Sequence, residues 1–378
     1  MESINPGNFT QESYNPGSEK KIALNGYLTS MQSMMFDSLK GPFLNDYVLH
    51  NRLNFKSWLG DHITVAVEFR NRLFTGDLAG AGEILAEMTG KDEGIVDMSW
   101  NLISGKSFFL NTTVDRLWID FSYEKFQTSI GRQRINWGQT LVWNPNDIFN
   151  SYSFFDVDYI ERPGCDAVRL QYYPDWSSAL EMAVSAGSER DITAAGLFRF
   201  SRWGYDIQFL GGYSRSSDIV AGAGWSGSAG SFSFRGEGTW FRPVKSFRDS
   251  SGMALVTAGI ERIFSDNSVI QFQMMYCNDP PRVGDPAKIF SSGLSARDLA
   301  FSKFTAFGQF VYAATPLLNT GISGMWFPDL KGFFTGPSVD FSMAQNVDFS
   351  LIWQHFKGKT DNVKTRINLV FLRFKYSF

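Results

Sequence analysis

The chain ends in the stretch VKTRINLVFLRFKYSF, residues 363–378. Alternate positions near its end are apolar or aromatic: Val370, Leu372, Phe374, Tyr376 and Phe378. A period of two is typical of a β-strand with one apolar face. Such a stripe suits the last strand of a closed sheet in a membrane, because its outer face would meet lipid. A soluble terminal strand that happens to end in Phe is the alternative reading.

The same alternation recurs along most of the chain. In residues 63–72, Ile63, Val65, Val67 and Phe69 share one face, and Thr64, Glu68, Arg70 and Arg72 share the other. Further two-faced runs occupy residues 116–123, 168–172, 270–274 and 348–354. A soluble sheet seldom needs so many aromatics over so many strands. The pattern therefore predicts an all-β, transmembrane antiparallel β-barrel, with a large soluble all-β protein as the alternative.

The composition supports a sheet with two different faces. Aromatic residues make up 16% of the 378 residues, yet the mean hydropathy is only −0.17. No run approaches 18 consecutive apolar residues, which excludes membrane-spanning helices from the prediction. The net charge of −3 is too small to indicate a nucleic-acid partner.

The turn signals predict about 18 strands, with short periplasmic turns and long extracellular loops. The strands are expected to begin near residues 21, 46, 62, 113, 125, 165, 178, 193, 204, 218, 230, 253, 268, 303, 317, 333, 347 and 365. The longest loops are expected at residues 75–112, 134–164 and 278–302. A strand overlooked within residues 75–112 would change the count. Both chain termini would then lie in the periplasm.

Two domains follow from this division of the chain. Residues 1–20 are rich in Asn, Gly, Pro, Ser and Glu, and they predict a disordered lead-in. Residues 21–378 form the barrel. No secretion signal opens the chain, so we expect that a signal peptide has been cleaved from a protein of the Gram-negative outer membrane. Cys165 and Cys277 lie on distant strands and are not expected to form a disulfide.

Tryptophan residues gather near the predicted strand ends. Such rings favour the headgroup level of a membrane, so two girdles are expected. Trp58, Trp176 and Trp203 would form the periplasmic girdle, and Trp137, Trp326 and Trp353 the outer one.

Charged residues on the second face would line the interior. Against hydrocarbon these charges would be costly, so they require a wet or mutually paired lumen. The predicted pore-lining residues are Glu68, Arg70, Arg72, Arg116, Asp120, Arg169, Arg235 and Glu237. Arg70, Arg72 and Arg116 come from adjacent strands and would favour anions locally.

The loop at residues 134–164 holds its own aromatic, Pro and Asn-Asp turn residues. A loop of this composition is expected to be folded and to turn inward as a constriction. Its candidate residues are Arg134, Trp137, Asn144, Asp147 and Arg162. Its aspartates lack the spacing of a calcium loop, so no metal is predicted. Another loop contains Ala81 to Met88, which predicts a short helix.

A resemblance to known families rests on residues 131–169. The segments GRQRINWG (131–138), NPND (144–147) and RPGCDAVR (162–169) resemble a stretch of porin-like outer-membrane barrels related to alginate-export barrels. The resemblance implies an eighteen-stranded conduit for anionic solutes. The mixed charges predicted for the lumen depart from this family. The last strand is similar to the terminal signature of outer-membrane proteins, which implies that the barrel-assembly machinery recognises the strand ending at Phe378.

The favoured hypothesis is a porin-like channel for passive or weakly selective diffusion of small hydrophilic solutes, anions included. The second hypothesis is a loop-plugged barrel that acts as a structural or docking subunit of an envelope complex. Outer-membrane lipid is an expected partner in both cases, and other envelope proteins are partners in the second. His50, His62 and His355 stand in no catalytic signature, so neither an enzyme nor a cofactor is predicted.

The two faces predict opposite responses to a buried charge. Replacing Phe349 by Arg on the lipid face should impair membrane insertion by about 2–4 kcal/mol if the residue is at mid-bilayer, whereas Gln354→Arg on the inner face should be tolerated. Refolding yield into vesicles measures the difference. Equal tolerance at both sites would mean that the faces are assigned wrongly.

Overall fold

A computed structural model describes residues 21–80, 83–158, 161–188, 191–281, 295–360 and 363–378. The predicted disordered lead-in, residues 1–20, lies outside the described residues. In the described part of the chain, two short α-helices, α1 (Asp77–Gly80) and α2 (Glu83–Gly90), and one 3-10 turn (Ala296–Asp298) lie between strands, and α2 overlaps the predicted helix. No helix in the described part of the chain is long and apolar enough to cross a membrane.

Nineteen strands form one sheet. They are β1 (Ile22–Phe36), β2 (Phe43–Leu59), β3 (Ile63–Gly76), β4 (Ser99–Ser104), β5 (Phe108–Tyr123), β6 (Phe126–Gln133), β7 (Cys165–Asp175), β8 (Ser178–Ala186), β9 (Ile192–Arg202), β10 (Tyr205–Ser214), β11 (Asp218–Ala229), β12 (Phe232–Pro243), β13 (Met253–Ile263), β14 (Val269–Cys277), β15 (Phe304–Thr315), β16 (Leu318–Phe327), β17 (Gly332–Ala344), β18 (Val347–Thr360) and β19 (Val363–Ser377).

Every strand except β4 pairs antiparallel on both sides, and β19 pairs with β1. The closing ladder places Met31 opposite Arg373, and the last residue exchanges backbone hydrogen bonds with Gly26 at 2.9 Å in both directions. The sheet is therefore a closed barrel with eighteen wall strands. This confirms the fold class and the strand number predicted from the sequence.

The overlooked strand is β4, and it does not change the count of wall strands. β6 has only eight residues, because the chain leaves the wall after Gln133. β4 pairs with the part of β5 that β6 leaves uncovered, placing Ser99 opposite Thr113. Asp166 fastens this inserted segment by accepting hydrogen bonds from the backbone of Ile95 and from Arg132. The loop at residues 77–107 thus completes the wall above β6.

The two ends of the barrel differ in their connections. At the end that carries the described termini, here called the terminal end, no connection exceeds five residues. At the opposite end, here called the loop end, the chain makes its three longest connections, at residues 77–107, 134–164 and 278–303. These positions agree with the predicted long loops.

The outward face is apolar, as the alternation predicted. Phe374 and Tyr376 of β19 are about half exposed, whereas their neighbour Phe371 faces inward and is buried. Phe349 is on the outward face, where its ring contacts Phe374. Trp176 and Trp326, which were assigned to the two girdles, are exposed near the two ends of the barrel.

Trp137 was wrongly assigned to the outer girdle. Its side chain is completely buried inside the barrel. Nothing in its local sequence separates an interfacial Trp from one that a folded loop carries into the lumen. Cys165 and Cys277 are free.

One irregularity in the wall decides which charges face inward. Between β3 and β5 the register shifts, so that Glu68 faces Arg116 and Phe69 faces Val114. Asp115 is the extra residue of this β-bulge. A bulge lets two successive side chains point to the same side, and both Asp115 and Arg116 are buried within the barrel. Strict alternation would have placed Asp115 against lipid.

The structure argues against the prediction that Gln354→Arg is tolerated. Gln354 is on the inner face but is buried beneath the lumen loop, where it donates a hydrogen bond to the Phe155 carbonyl at 3.2 Å. An arginine at this position is therefore expected to destabilise the barrel rather than be tolerated.

Thr64→Arg is the appropriate inner-face control, because Thr64 is partly exposed and faces Asp120 across the strand pair. We expect Thr64→Arg to refold into vesicles like the wild type, and Phe349→Arg to lose about 2–4 kcal/mol if it is at mid-bilayer. Urea titration of the refolded barrels measures both. A loss at Thr64 as large as that at Phe349 would contradict the assignment of faces.

Candidate functional site in the lumen

The segment of residues 134–164, here called the lumen loop, turns into the barrel. It leaves the wall after Gln133 and returns at Cys165. Ile135, Trp137, Asn146 and Asp147 have no solvent-exposed surface. The prediction that this loop is folded and turns inward agrees with the structure.

A buried carboxylate from the wall holds the first half of the lumen loop. Glu237 of β12 is fully buried, and it accepts hydrogen bonds from the backbone N–H groups of Gln139, Thr140 and Asn146, those from Thr140 and Asn146 measuring 3.3 and 3.2 Å. These three donors lie in irregular backbone, which has no ladder partner to satisfy them. Because an unsatisfied buried N–H costs about 1–3 kcal/mol, the carboxylate determines where this part of the loop can lie.

Wall amides complete the attachment. Gln208 donates to the Trp137 carbonyl at 2.6 Å. Gln273 accepts from the Val142 N–H at 3.1 Å. Asn146 of the loop donates to the Ala223 carbonyl at 3.1 Å. The inward polar residues of β10 to β14 therefore act here as partners for loop backbone and loop side chains, rather than as free pore lining.

Aromatic side chains fill the space between the lumen loop and β15 to β17. The ring of Phe154 lies edge-on to that of Phe307 at 5.1 Å, and Phe155 lies edge-on to Phe334 at 5.0 Å. Phe307 and Phe334 face inward and are buried. These contacts give the barrel an apolar core on one side of its interior.

Two glycines of β11 allow the loop to approach the wall. A Cβ added at Gly222 would lie 2.7 Å from Oδ1 of Asn146, and one at Gly224 would lie 2.7 Å from Oε1 of Gln139. A larger residue at either position would displace the loop.

The end of the lumen loop crosses to the opposite wall. Tyr27 of β1 donates to the Glu161 carboxylate at 2.9 Å, and Arg116 of β5 donates to the Arg162 carbonyl at 2.5 Å. His50 of β2 lies 3.2 Å from Asp158, and Arg373 of β19 donates to the Val157 carbonyl at 3.3 Å. The loop therefore contacts both sides of the lumen and narrows it.

A buried cluster of opposite charges supports this crossing. Arg52 of β2 is almost fully buried and forms ion pairs with Glu68, with Asp115 at 2.7 Å and with Glu161 at 3.9 Å. Arg116 pairs with Asp115 at 3.3 Å. Removing one member would leave an uncompensated buried charge, which costs about 3–5 kcal/mol in other proteins. We call Arg52, Glu68, Asp115, Arg116 and Glu161 the lumen cluster.

Two arginines border the lumen cluster. Arg70 and Arg72 are partly exposed on the inner face of β3. Arg72 donates to Asn111 at 3.2 Å, and both arginines contribute to the electrostatic field at Asp158. Burial raises the pKa of Asp158, but the hydrogen bond and charge of His50, together with the two arginines, lower the pKa below its usual value. This part of the lumen therefore favours negative charge.

The structure divides the predicted pore-lining residues into three groups. Arg70 and Arg72 line the inner face beside the lumen cluster, to which Glu68 and Arg116 belong. Two arginines are paired on the wall, Arg169 with Glu181 at 2.7 Å and Arg235 with Glu261 at 3.2 Å. Asp120 and Glu237 are both buried. Asp120 accepts hydrogen bonds from Ser122, Gln127 and Ser129, whereas Glu237 lies beneath the lumen loop.

The predicted constriction residues all lie in the lumen loop, but they lie at different depths. Trp137, Asn144 and Asp147 are buried, and Trp137 donates its indole N–H to Glu181. Arg134 and Arg162 flank Asp147, and the guanidinium of Arg162 stacks on Tyr152.

Four residues of this region, Tyr27, Arg52, Glu161 and Arg373, were not among those predicted from the sequence. Arg52 and Arg373 stand on the inner parity of strands that were predicted, so alternation alone could have found them. Glu161 lies in the lumen loop, where no periodicity indicates direction. Among the described residues, no group of three or more His, Cys, Asp or Glu side chains is arranged to hold a metal ion.

Comparison with known proteins gives matches in structure but not in sequence. Neither a protein-family model nor a curated protein matches the chain. OccAB1 of Acinetobacter baumannii is similar in structure with a TM-score of 0.61, at 10% identity, over 97% of this chain and 99% of that one. OccK8 (OprE) and OpdK with vanillate, both of Pseudomonas aeruginosa, each give a TM-score of 0.59 at 9% identity, over 94% of this chain and 98% of theirs. At these identities the likeness establishes the fold: the chain has the closed barrel of the Occ and Opd outer-membrane porins.

We expect the buried carboxylate of Asp147 to make the stability of the barrel depend on pH. Burial raises the pKa of Asp147 from 3.8 to about 6, despite the opposing charges of Arg134 and Arg162. A raised carboxyl pKa means that the folded state binds the proton more tightly than the unfolded state. Stability is therefore expected to fall as pH rises from about 4 to about 6.

Asp147→Asn should remove this dependence and stabilise the barrel at pH 7 by on the order of 1–3 kcal/mol, with little effect at pH 4. Thermal unfolding of the refolded barrel at both pH values measures the effect. Equal stabilisation at pH 4 and pH 7 would contradict titration of Asp147 as the cause.

Glu237→Gln keeps the size of the side chain but exchanges one of its two acceptor oxygens for a donor. We expect a loss of about 1–3 kcal/mol and faster protease cleavage within residues 138–146, because a loop N–H loses its acceptor. Glu261→Gln, at the inner-face pair with Arg235, is the matched control and should leave cleavage of the loop unchanged. If the loop of the Glu237→Gln variant were cleaved at the wild-type rate, this carboxylate would not be what holds the loop.

Proposed function

We propose that this protein is a porin-like channel of a Gram-negative outer membrane, with its loop end outside and its terminal end in the periplasm. It passes small hydrophilic solutes, anions included, through the part of the lumen beside β3, where Arg70 and Arg72 are partly exposed. The observation that carries the proposal is the division of the interior: the lumen loop covers the wall from β8 to β18, whereas partly exposed arginines line β3.

The arginines indicate the charge of the preferred solute. Arg70 and Arg72 of β3 are partly exposed on the inner face of the barrel. Arg70 and Arg72 stand together, and their field extends to the loop at Asp158. The structure of OpdK was determined with vanillate, a small aromatic carboxylate. A carboxylate of that size is the solute that we would test first.

Conductance in planar bilayers tests the channel. We expect reproducible open steps for the purified wild type, and a lower anion-to-cation permeability ratio for the double variant Arg70→Gln/Arg72→Gln. Lys245→Gln/Arg248→Gln makes the same charge change in the connection between β12 and β13, outside the wall strands, and should keep the wild-type ratio. If the Arg70→Gln/Arg72→Gln variant and this control changed the anion-to-cation permeability ratio equally, the arginines of β3 would not select the ion.

A loop-plugged docking subunit is the second candidate, and the double attachment of the lumen loop favours it. The loop is held by Glu237 on one wall and by Tyr27 and Arg116 on the other. A barrel whose plug stays in place would be silent in bilayers. Silence of the wild type, with conductance restored when residues 138–160 are replaced by a short Gly-Ser linker, would favour this candidate over the channel.

The finer sequence predictions remain proposals. Recognition by the barrel-assembly machinery is supported by the terminal strand, whose residue Phe378 is half exposed on the outer face and hydrogen-bonded to Gly26. The resemblance of residues 131–169 to alginate-export barrels remains a prediction. The paired charges of the lumen support a small solute better than a polyuronate chain.

A further inference from the structure

Beyond the lumen, an unusual group of cations lies on the outer surface at the loop end of β18 and β19. The two strands pair without a register shift from Val347 opposite Tyr376 to Thr360 opposite Val363. Because the side chains of β18 alternate without interruption, Lys357 and Lys359 lie on the same outward face as Leu351 and Trp353. By the same argument, the outward positions of β19 above Val370 and Asn368 are Arg366 and Lys364.

These four cations face one another in pairs. Lys357 is directly opposite Arg366, and Lys359 is directly opposite Lys364. Lys357, Lys364 and Arg366 are exposed, and Lys359 is partly exposed. Within the described part of the chain, none of the four forms an ion pair with a carboxylate. Asp361, which lies between the two strands in the sequence, is outside the described residues, and one acid does not balance four cations. We call Lys357, Lys359, Lys364 and Arg366 the basic hairpin.

Like charges opposite each other destabilise a strand pair. Other outward cations of this barrel lie on aromatic rings: Arg242 lies over Trp240 and Phe247 at 5.5 and 4.2 Å, and Arg262 lies over Phe232 and Phe264 at 5.1 and 4.8 Å. The basic hairpin has no such arrangement among the described contacts. An external anion between the two strands would relieve the repulsion.

The position of the basic hairpin along the barrel axis, relative to the aromatic rings below it, indicates the source of that anion. The next outward pair below it is His355 opposite Asn368, followed by Trp353. The Trp353 indole donates to Asn368 at 3.3 Å, and the rings of Phe333 and Trp353 lie 5.8 and 6.2 Å from that of His355. Aromatic rings of this kind settle at the boundary between hydrocarbon and headgroups. The cations one step above them are therefore at headgroup level.

We propose that the basic hairpin binds the phosphate groups of a phosphorylated lipid of the outer leaflet. The guanidinium of Arg366 offers two parallel N–H donors to a phosphate, and the three ammonium groups add point charges beside it. Acyl chains of the same lipid would lie against Trp353, Leu351 and Leu372 on the apolar wall below. This inference rests on the proposed orientation, in which the loop end faces outward.

The test compares lipid binding by the full chain and by two matched variants. The first variant changes Lys357, Lys359, Lys364 and Arg366 to Gln. The control changes Lys106, Lys245, Arg248 and Lys303 to Gln, which removes the same charge from exposed positions at the same end of the barrel. Native mass spectrometry of each protein in neutral detergent measures binding of bisphosphorylated lipid A, of lipid A stripped of phosphate, and of inorganic phosphate.

We expect the wild type and the control to bind bisphosphorylated lipid A alike, and the basic-hairpin variant to bind it roughly tenfold more weakly or worse. The dephosphorylated lipid should bind weakly to all three proteins. Equal binding by all three, or an equal loss in the control, would overturn the proposal. Competition by inorganic phosphate at the same concentration would overturn the assignment to a lipid and indicate a free-anion site instead.

Bilayer conductance separates this inference from the proposed function. The four side chains point away from the lumen, so the basic-hairpin variant should conduct like the wild type. Loss of lipid binding with unchanged conductance supports both proposals, whereas unchanged lipid binding in a conducting channel overturns only the lipid site. Lipid binding that depends on the basic hairpin in a silent barrel supports the lipid site and overturns the channel.

Discussion

In hydrocarbon, each backbone N–H or C=O group without a partner costs several kcal/mol, and this single cost shapes the whole molecule. A sheet in hydrocarbon avoids this cost only by closing into a barrel, which leaves no unpaired edge strand. Here the closing ladder between β1 and β19 runs from Tyr27 opposite Ser377 to Phe36 opposite Asn368. The same requirement explains β4. Where β6 stops short, the edge of β5 would be bare, and the segment that contains Ser99–Ser104 covers it.

The requirement applies again inside the barrel, where the lumen loop brings irregular backbone away from water. Each loop N–H and C=O must find a partner, and the wall supplies side chains for this purpose: Glu237 for three N–H groups, Gln208 for a carbonyl and Gln273 for an N–H. Polar residues on the inner face therefore have two separate roles. Some face the solvent-accessible lumen, and others replace the missing backbone partners of the loop.

This double use limits how far the site could be predicted. Alternation correctly assigned the inner face, so every predicted pore-lining residue points into the barrel. It could not tell Arg70, which is partly exposed beside the lumen cluster, from Glu237, which is buried beneath a loop that arrives from about a hundred residues earlier in the chain. It also could not reveal the β-bulge at Asp115, because an extra residue in one strand changes the phase of the alternation without changing its composition.

The sequence by itself determined the closed antiparallel barrel, its eighteen wall strands, its two faces and the inward-turning loop at residues 134–164. These features depend on local patterns, since period-two alternation and turn residues act over a few neighbours. Only the tertiary structure decided which charges neutralise one another, as in the lumen cluster, and which cations remain together, as in the basic hairpin. Those outcomes depend on strand register and on contacts between distant segments, and a one-residue change of register would reverse them.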